Sequence, residues 1–193
     1  MPSGGAERVN EELAACHVLE ADGKPWRVGD TWRDGPGLVV FVRQFGCVAC
    51  AMQTTELSPR LELLAQLGVA TLMIGTGPIE SLVAFVAREG LDGRSIRVAT
   101  DPERKAYRAA GMVHSVWGTW GPAAWPGFVR GTMAGHVNRI EGDPNQQGGA
   151  LLVDRDGLVW FTRRTAFLGD LVSGNELVDQ ALRLAARRTS DVP

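Results

Sequence analysis

The stretch that most constrains this chain is FVRQFGCVAC, Phe41 to Cys50. Leu38-Val39-Val40-Phe41-Val42 is an uninterrupted apolar run rich in β-branched residues, which reads as a strand buried on both faces. Arg43, Gln44, Phe45 and Gly46 follow, and Cys47 and Cys50 then open a helix. The start of a helix presents unpaired backbone N–H groups and the positive end of the helix dipole, so a Cys47 thiolate placed there is stabilised. With a cation such as Arg43 close by, that placement pulls a thiol pKa from about 8.5 into roughly the 3.5–7.5 range. Cys50 lies about one turn further on, close enough to form a disulfide with Cys47 after small adjustments.

Two other uses of the cysteines stand beside the redox one. Free cysteine is among the most buried residue types, so the pair could be inert core thiols. It could also be half of a zinc site completed by His17, His114 or His136, but no other two of Cys and His stand two to five residues apart. The strand, loop and helix start around C-x-x-C favour redox-capable thiols and leave the substrate open.

Composition removes several function classes. At 193 residues the chain reads as one domain spanning 1–193, large enough for a real core. A net charge of −2 and a pI near 5.9 give no electrostatic case for nucleic acid or an anionic membrane. Three cysteines do not make a secreted disulfide framework. The opening residues MPSGGAERVNEELAA lack a basic region followed by an apolar one, and Leu67 to Ala87 is too interrupted to span a bilayer. The expected location is a reducing cytoplasm. Neither G-x-G-x-x-G after a strand nor G-x-x-x-x-G-K-[ST] is present, so no organic cofactor is expected, and no metal.

Taken in order, residues 1 to 8 read as loose and Val9 to Ala15 as a short helix. Cys16 to Glu20 and Pro25 to Val28 form a hairpin turning at Asp22-Gly23, with Cys16 a structural residue of its first strand. After the cysteines the helix runs to Ser58-Pro59, where it kinks or restarts as Arg60 to Leu67. Ala70 to Ile74 is a second buried strand. A helix after Gly77-Pro78 has Ile79, Leu82, Val83 and Val86 on one face, and Ile96 to Ala99 is a third strand. Asp101-Pro102-Glu103 caps a short helix ended by Gly111. Met112 to Gln147 has three tryptophans, many glycines and prolines and no period; it reads as a functional lid, a flap over the sheet or a helical insert. Ala150 to Val153 and Leu158 to Thr162 make a hairpin, and Asn175 caps a last helix with Leu177, Val178, Ala181, Leu182 and Ala185 buried. The order implies an α/β sandwich with a mixed sheet.

FVRQFGCVAC, TDPERKAYRAAGM, GDPNQQGGALLVDRDGLVWFTRR and Gly169-Asp170 together resemble the peroxiredoxin-like branch of the alkyl hydroperoxide reductase/thiol-specific antioxidant superfamily, which includes prostamide/prostaglandin F synthase. The resemblance covers about Asp22 to Leu184. It implies a thioredoxin-like fold, with Cys47 and Cys50 as the redox pair. The chain departs from ordinary peroxiredoxins, whose P-x-x-x-T-x-x-C motif would place Pro and Thr where Val40 and Gln44 stand. Their later Arg falls at Gly148, and no thioredoxin-type Pro precedes the following strand, where Gly148-Gly149 allow close approach of a backbone or ligand.

The expectation is thus a thiol oxidoreductase. Cys47 attacks the O–O or S–S bond of a peroxide, endoperoxide or disulfide, Cys50 resolves the product, and a thioredoxin-type dithiol regenerates the pair. Arg43 is a catalytic candidate by position, and Gln44, Phe45, Gly148 and Gly149 are the substrate-binding candidates. The competing expectation is a non-catalytic module whose cysteine oxidation state gates the Trp-rich segment or a partner.

Overall fold

The computed structural model describes residues 7–133, 135 and 139–190. Most of the loose opening stretch, and His136, lie outside the described residues. Seven strands form one mixed sheet: β1 (His17–Leu19), β2 (Pro25–Arg27), β3 (Gly37–Phe41), β4 (Ala70–Gly75), β5 (Arg97–Thr100), β6 (Gly149–Val153) and β7 (Val159–Arg164). Their order is β2-β1-β5-β4-β3-β6-β7. β3, β4 and β5 are parallel, and the remaining pairings are antiparallel.

The two-sided burial expected of the central strand is present, since every residue of β3 is buried. Alternation sends Leu38 and Val40 into one core with Met73, Ala150 and Leu152. Val39 and Phe41 enter the other with Leu72, Ile74 and Leu151. Cys47 and Cys50 belong to the first core, whereas Cys16 packs against the second. The sheet therefore lies between Cys16 and the pair. Cys16 itself is the residue closing helix α1 (Glu11–Ala15) rather than part of the first strand, which begins at His17.

Helix α2 (Val48–Leu57) follows the cysteine loop, passes through a 3-10 turn at Ser58–Arg60 and resumes as α3 (Leu61–Gln66), as Ser58-Pro59 implies. In α4 (Ile79–Arg88) the fully buried positions are Leu82 and Phe85, and Val83 faces solvent. Phe85 wins the inward position because its ring packs 5.1 Å from that of Phe45. Asp101 caps α5 (Lys105–Ala109) by accepting the Ala106 N–H at 2.7 Å. The last helix, α8 (Gly174–Ser190), buries Leu177, Ala181 and Leu184, while Leu182 is exposed. Asn175 does not cap it; its side-chain carbonyl accepts Arg60 Nε and Nη2 at 2.9 and 2.7 Å.

The aperiodic segment is a helical insert. It contains α6 (Val116–Trp120), a 3-10 turn at Pro122–Ala124, and α7 (Trp125–Met133). Ser115 starts α6 by accepting the Gly118 N–H at 2.9 Å. α7 turns Gly127 and Gly131 inward: a Cβ on Gly131 would overlap a Val48 methyl, and one on Gly127 would overlap the Leu168 carbonyl. Its glycines thus allow close packing on α2 and on the loop after β7, and its large side chains are left outside.

Tyr107 fixes the end of the sheet that carries the cysteine loop. Its hydroxyl is fully buried, 2.5 Å from the Val42 carbonyl and 2.8 Å from that of Ile74, and its ring meets Phe41 edge-on. Replacing Tyr107 by Phe keeps the ring and strands the buried Val42 carbonyl, an expected cost of about 1–3 kcal/mol. Urea denaturation of the reduced protein should read it as a lower midpoint with unchanged slope.

Candidate active site

The strand ends at Phe41, and Val42 still donates its N–H to the Ile74 carbonyl at 2.8 Å. The chain then leaves the sheet for one turn, Arg43 to Gly46, before α2 begins. Cys47 is the residue before the first helical turn, with extended backbone (φ −81°, ψ 132°), and Cys50 is inside that turn. Both thiols are free and buried.

The two sulfurs are held differently. A hydrogen bond from the Cys50 thiol, the Arg43 charge, and the amides of Ala49 and Cys50 together outweigh burial and lower the Cys47 pKa to about 6. Burial and the neighbouring Cys47 push Cys50 well above the usual thiol value. Cys50 nevertheless has the N–H groups of Arg43 and Gln44 at 3.2 and 3.4 Å from its sulfur. At neutral pH this is a thiolate on Cys47 receiving a hydrogen bond from a protonated Cys50. The partner thiol contributes more to the lowered Cys47 pKa than the helix start does, a cause that the sequence alone does not display.

Arg43 is buried beside them. Its Nη2 donates to Thr119 Oγ1 at 2.6 Å and to the Pro144 carbonyl. Its Nε and Nη1 are buried with no protein partner. Thr119 is itself fixed, 2.7 Å from the Pro144 carbonyl and accepting Gln147 Nε2 at 3.1 Å. The insert thus supplies the acceptors that orient the guanidinium. Gln44 turns away from the thiols, and its Oε1 accepts the Glu141 N–H. Thr76 completes the clamp by donating to the Arg43 carbonyl at 2.7 Å and accepting the Asp143 N–H at 3.0 Å. Asp143 in turn pairs with Arg104 and His114, which ties the segment after α7 to α5.

A cavity of about 240 Å³ opens over this arrangement. Cys47, Arg43 and Gln44 line its base, and Trp120, Trp125 and Phe128 of the insert line its walls. Phe45 does not reach it: the ring is fully buried against Phe85 and Gly75. Gly148 and Gly149 also serve packing. A Cβ on Gly148 would overlap the Phe41 carbonyl, and the Gly148 N–H is taken by Thr165 Oγ1 at 3.0 Å. The two glycines line a smaller crevice of about 20 Å³ on the Cys50 side. Arg43, Gln44 and Cys47 are therefore together at one cavity, Cys50 lies behind them, and the other three candidates are structural neighbours. Thr119, Pro144 and Phe128 had no signal in the sequence. Trp120 and Trp125 did, through their clustering in an aperiodic segment. No group of three or more His, Cys, Asp or Glu positioned to hold a metal occurs among the described residues.

Three substitutions at two positions separate the contributions to the Cys47 thiolate. Iodoacetamide alkylation of Cys47 should rise with pH to a plateau, with its inflection at about 6. Cys50→Ala removes the thiol donor and should move the inflection upward, while Cys50→Ser, which keeps a donor, should move it less. Arg43→Met should also move it upward, since a buried positive charge favours the thiolate. Mass spectrometry of the labelled peptides reads all four profiles.

The AhpC/TSA antioxidant enzyme family matches residues 56–166, more than half of the chain. The matched stretch begins inside α2, after both cysteines. Over 159 residues the chain is 29% identical to the Arabidopsis thaliana thioredoxin-like protein AAED1, chloroplastic, covering 78% of this chain and 63% of that one. It thus spans less than two-thirds of that relative's length. Over 192 residues it is 29% identical to Homo sapiens prostamide/prostaglandin F synthase, covering 94% of this chain and 92% of the other. Among solved structures, the bacterioferritin comigratory protein of Xanthomonas campestris superposes with a TM-score of 0.65 at 11% identity, covering 96% of this chain and 99% of that one. The fold is thioredoxin-like, and by sequence the chain belongs to the AhpC/TSA antioxidant enzyme family.

Proposed function

We propose that the protein is a thiol-dependent oxidoreductase that reduces a peroxide with an apolar body through Cys47 and Cys50. The observation that carries this reading is a low-pKa thiol at the base of an aromatic-walled cavity, hydrogen-bonded to a second thiol one turn along the helix. The apolar wall favours a hydroperoxide or endoperoxide over a polar disulfide, because a polar substrate would leave unpaired groups against Trp120, Trp125 and Phe128.

In the proposed cycle, written for a hydroperoxide, the Cys47 thiolate attacks the terminal peroxide oxygen. An S–O bond forms as the O–O bond breaks, and the departing alkoxide takes a proton from the solvent, to which the later ionisation of Cys50 returns one. The free Nε and Nη1 of Arg43 are the donors available to the developing negative charge. With Cys47 now an uncharged sulfenic acid, the neighbouring charge that opposed ionisation of Cys50 has gone. The N–H groups of Arg43 and Gln44 then favour the Cys50 thiolate, which attacks the Cys47 sulfur and expels hydroxide. An external dithiol of the thioredoxin type returns the disulfide to two thiols, in a reducing compartment such as the cytoplasm. Residues 112–147 act as the lid of the site, and Thr119 is a positioning residue for Arg43.

Intact-mass measurement after one equivalent of cumene hydroperoxide tests the cycle. Wild type should lose two hydrogens, Cys50→Ser should gain one oxygen, and Cys47→Ser should do neither. Cys16→Ser should behave as wild type, because the sheet separates that residue from the pair. Turnover without the two-hydrogen loss, or its disappearance with Cys16→Ser, would overturn the assignment of Cys50 as the resolving thiol.

A further inference from the structure

The insert is built inside out. On α7, Gly127 and Gly131 face the protein, while Trp125, Phe128, Val129 and Met133, at i, i+3, i+4 and i+8, form a stripe towards solvent. Met133 is 85% exposed and Trp125 68%. α6 adds Val116 and Trp117, the latter 76% exposed, and Ile140 follows the insert helices. Scattered surface apolar residues are normal, but a helix that turns its largest apolar side chains outward leaves a contiguous face uncovered.

Charge narrows what covers it. No Asp or Glu occurs between Glu103 and Glu141, in a chain whose net charge is −2. Arg130 lies in α7 and Arg139 next to Ile140. The whole-chain charge, which argues against anionic surfaces, conceals a local stretch that is apolar, tryptophan-rich and free of acidic groups. Exposed tryptophans beside arginines, with no acidic group in the stretch, suit contact with the interface of an anionic bilayer. The cavity adds a geometric argument. Its walls, Trp120, Trp125 and Phe128, belong to the same face, so a rigid protein partner held there throughout the cycle would keep both the substrate and the reducing dithiol from the mouth above Cys47. A fluid surface would not.

We propose that the face formed by α6, α7 and Ile140 docks peripherally on an anionic lipid surface, with the cavity mouth turned towards the acyl chains. No helix among the described residues is long and apolar enough to cross a membrane, so the contact is interfacial. The docking is independent of the chemistry proposed for the cysteines, and its test does not use activity.

The reduced full-length protein is mixed with sucrose-loaded vesicles of phosphatidylcholine, with and without phosphatidylserine, and sedimented. Wild type should pellet with the phosphatidylserine vesicles, and less so as salt rises. The combined variant Trp117→Ser, Val129→Ser, Met133→Ser removes apolar area without altering the cavity lining and should bind at least about tenfold more weakly. Its far-UV circular dichroism and melting curve serve as the control for folding. Arg130→Gln and Arg139→Gln should lower the dependence on phosphatidylserine. Absence of binding to either vesicle, binding indifferent to phosphatidylserine, or binding unchanged in the combined variant would overturn the proposal. So would light scattering that shows a wild-type dimer made monomeric by the same variant, which would assign the face to a second copy.

Discussion

A buried guanidinium beside a buried thiolate is the arrangement on which the rest of this site depends. Taking either charge out of water alone costs several kcal/mol, and each is tolerable here because the other is close. Arg43 has only one of its three nitrogens satisfied by the protein, through Thr119 and the Pro144 carbonyl. The sheet cannot supply those acceptors. They come from the insert, so the electrostatics of Cys47 reach the body of the fold through residues 115–147. The Thr76 and Gln44 contacts to Asp143 and Glu141 give the insert its fixed position over the loop.

The same economy of groups is visible at the first turn of α2. The amides of Arg43 and Gln44 lie near Cys50, and those of Ala49 and Cys50 favour Cys47. The helix start serves Cys47, and the loop before it serves Cys50. Which thiol carries the negative charge is decided by their mutual hydrogen bond and by burial, and both change once Cys47 is modified. A helix dipole alone would favour one thiolate throughout the cycle.

Much of the frame was legible because its residues are unambiguous. Leu38 to Val42 can be little other than a buried strand, Ser58-Pro59 can only interrupt a helix, and Cys47 falls where the strand gives way to α2. Periodicity was less reliable for single positions: Phe85 is buried beside Phe45 while Val83 is exposed, and Leu184 is buried while Leu182 is exposed. The bounds of the helices in the insert were unreadable for a physical reason. Its inward face is glycine and its outward face aromatic, the inverse of the pattern by which an amphipathic helix is recognised, and Gly and Pro carry poor helix propensity. Thr119 gave no signal because its importance is an angle and a distance to Arg43. Phe45, Gly148 and Gly149 sit near the cysteines in the fold but are spent on packing, which adjacency in a motif does not distinguish from contact with a substrate.

The sheet between Cys16 and the pair also sets an electron count. A chain with three thiols could in principle close three different disulfides, and an odd thiol within reach would allow exchange among them. Here the seven strands act as a partition, with one compartment holding a dithiol and the other a single sulfur packed near Leu13 and Val18 in the second core. The pKa of Cys16 is raised above the ordinary thiol value by burial and by Asp101 and Glu12, which lowers its thiolate fraction. In the proposed cycle the molecule is therefore a two-electron device with Cys16 as a spectator, because the sheet keeps that sulfur away from the pair.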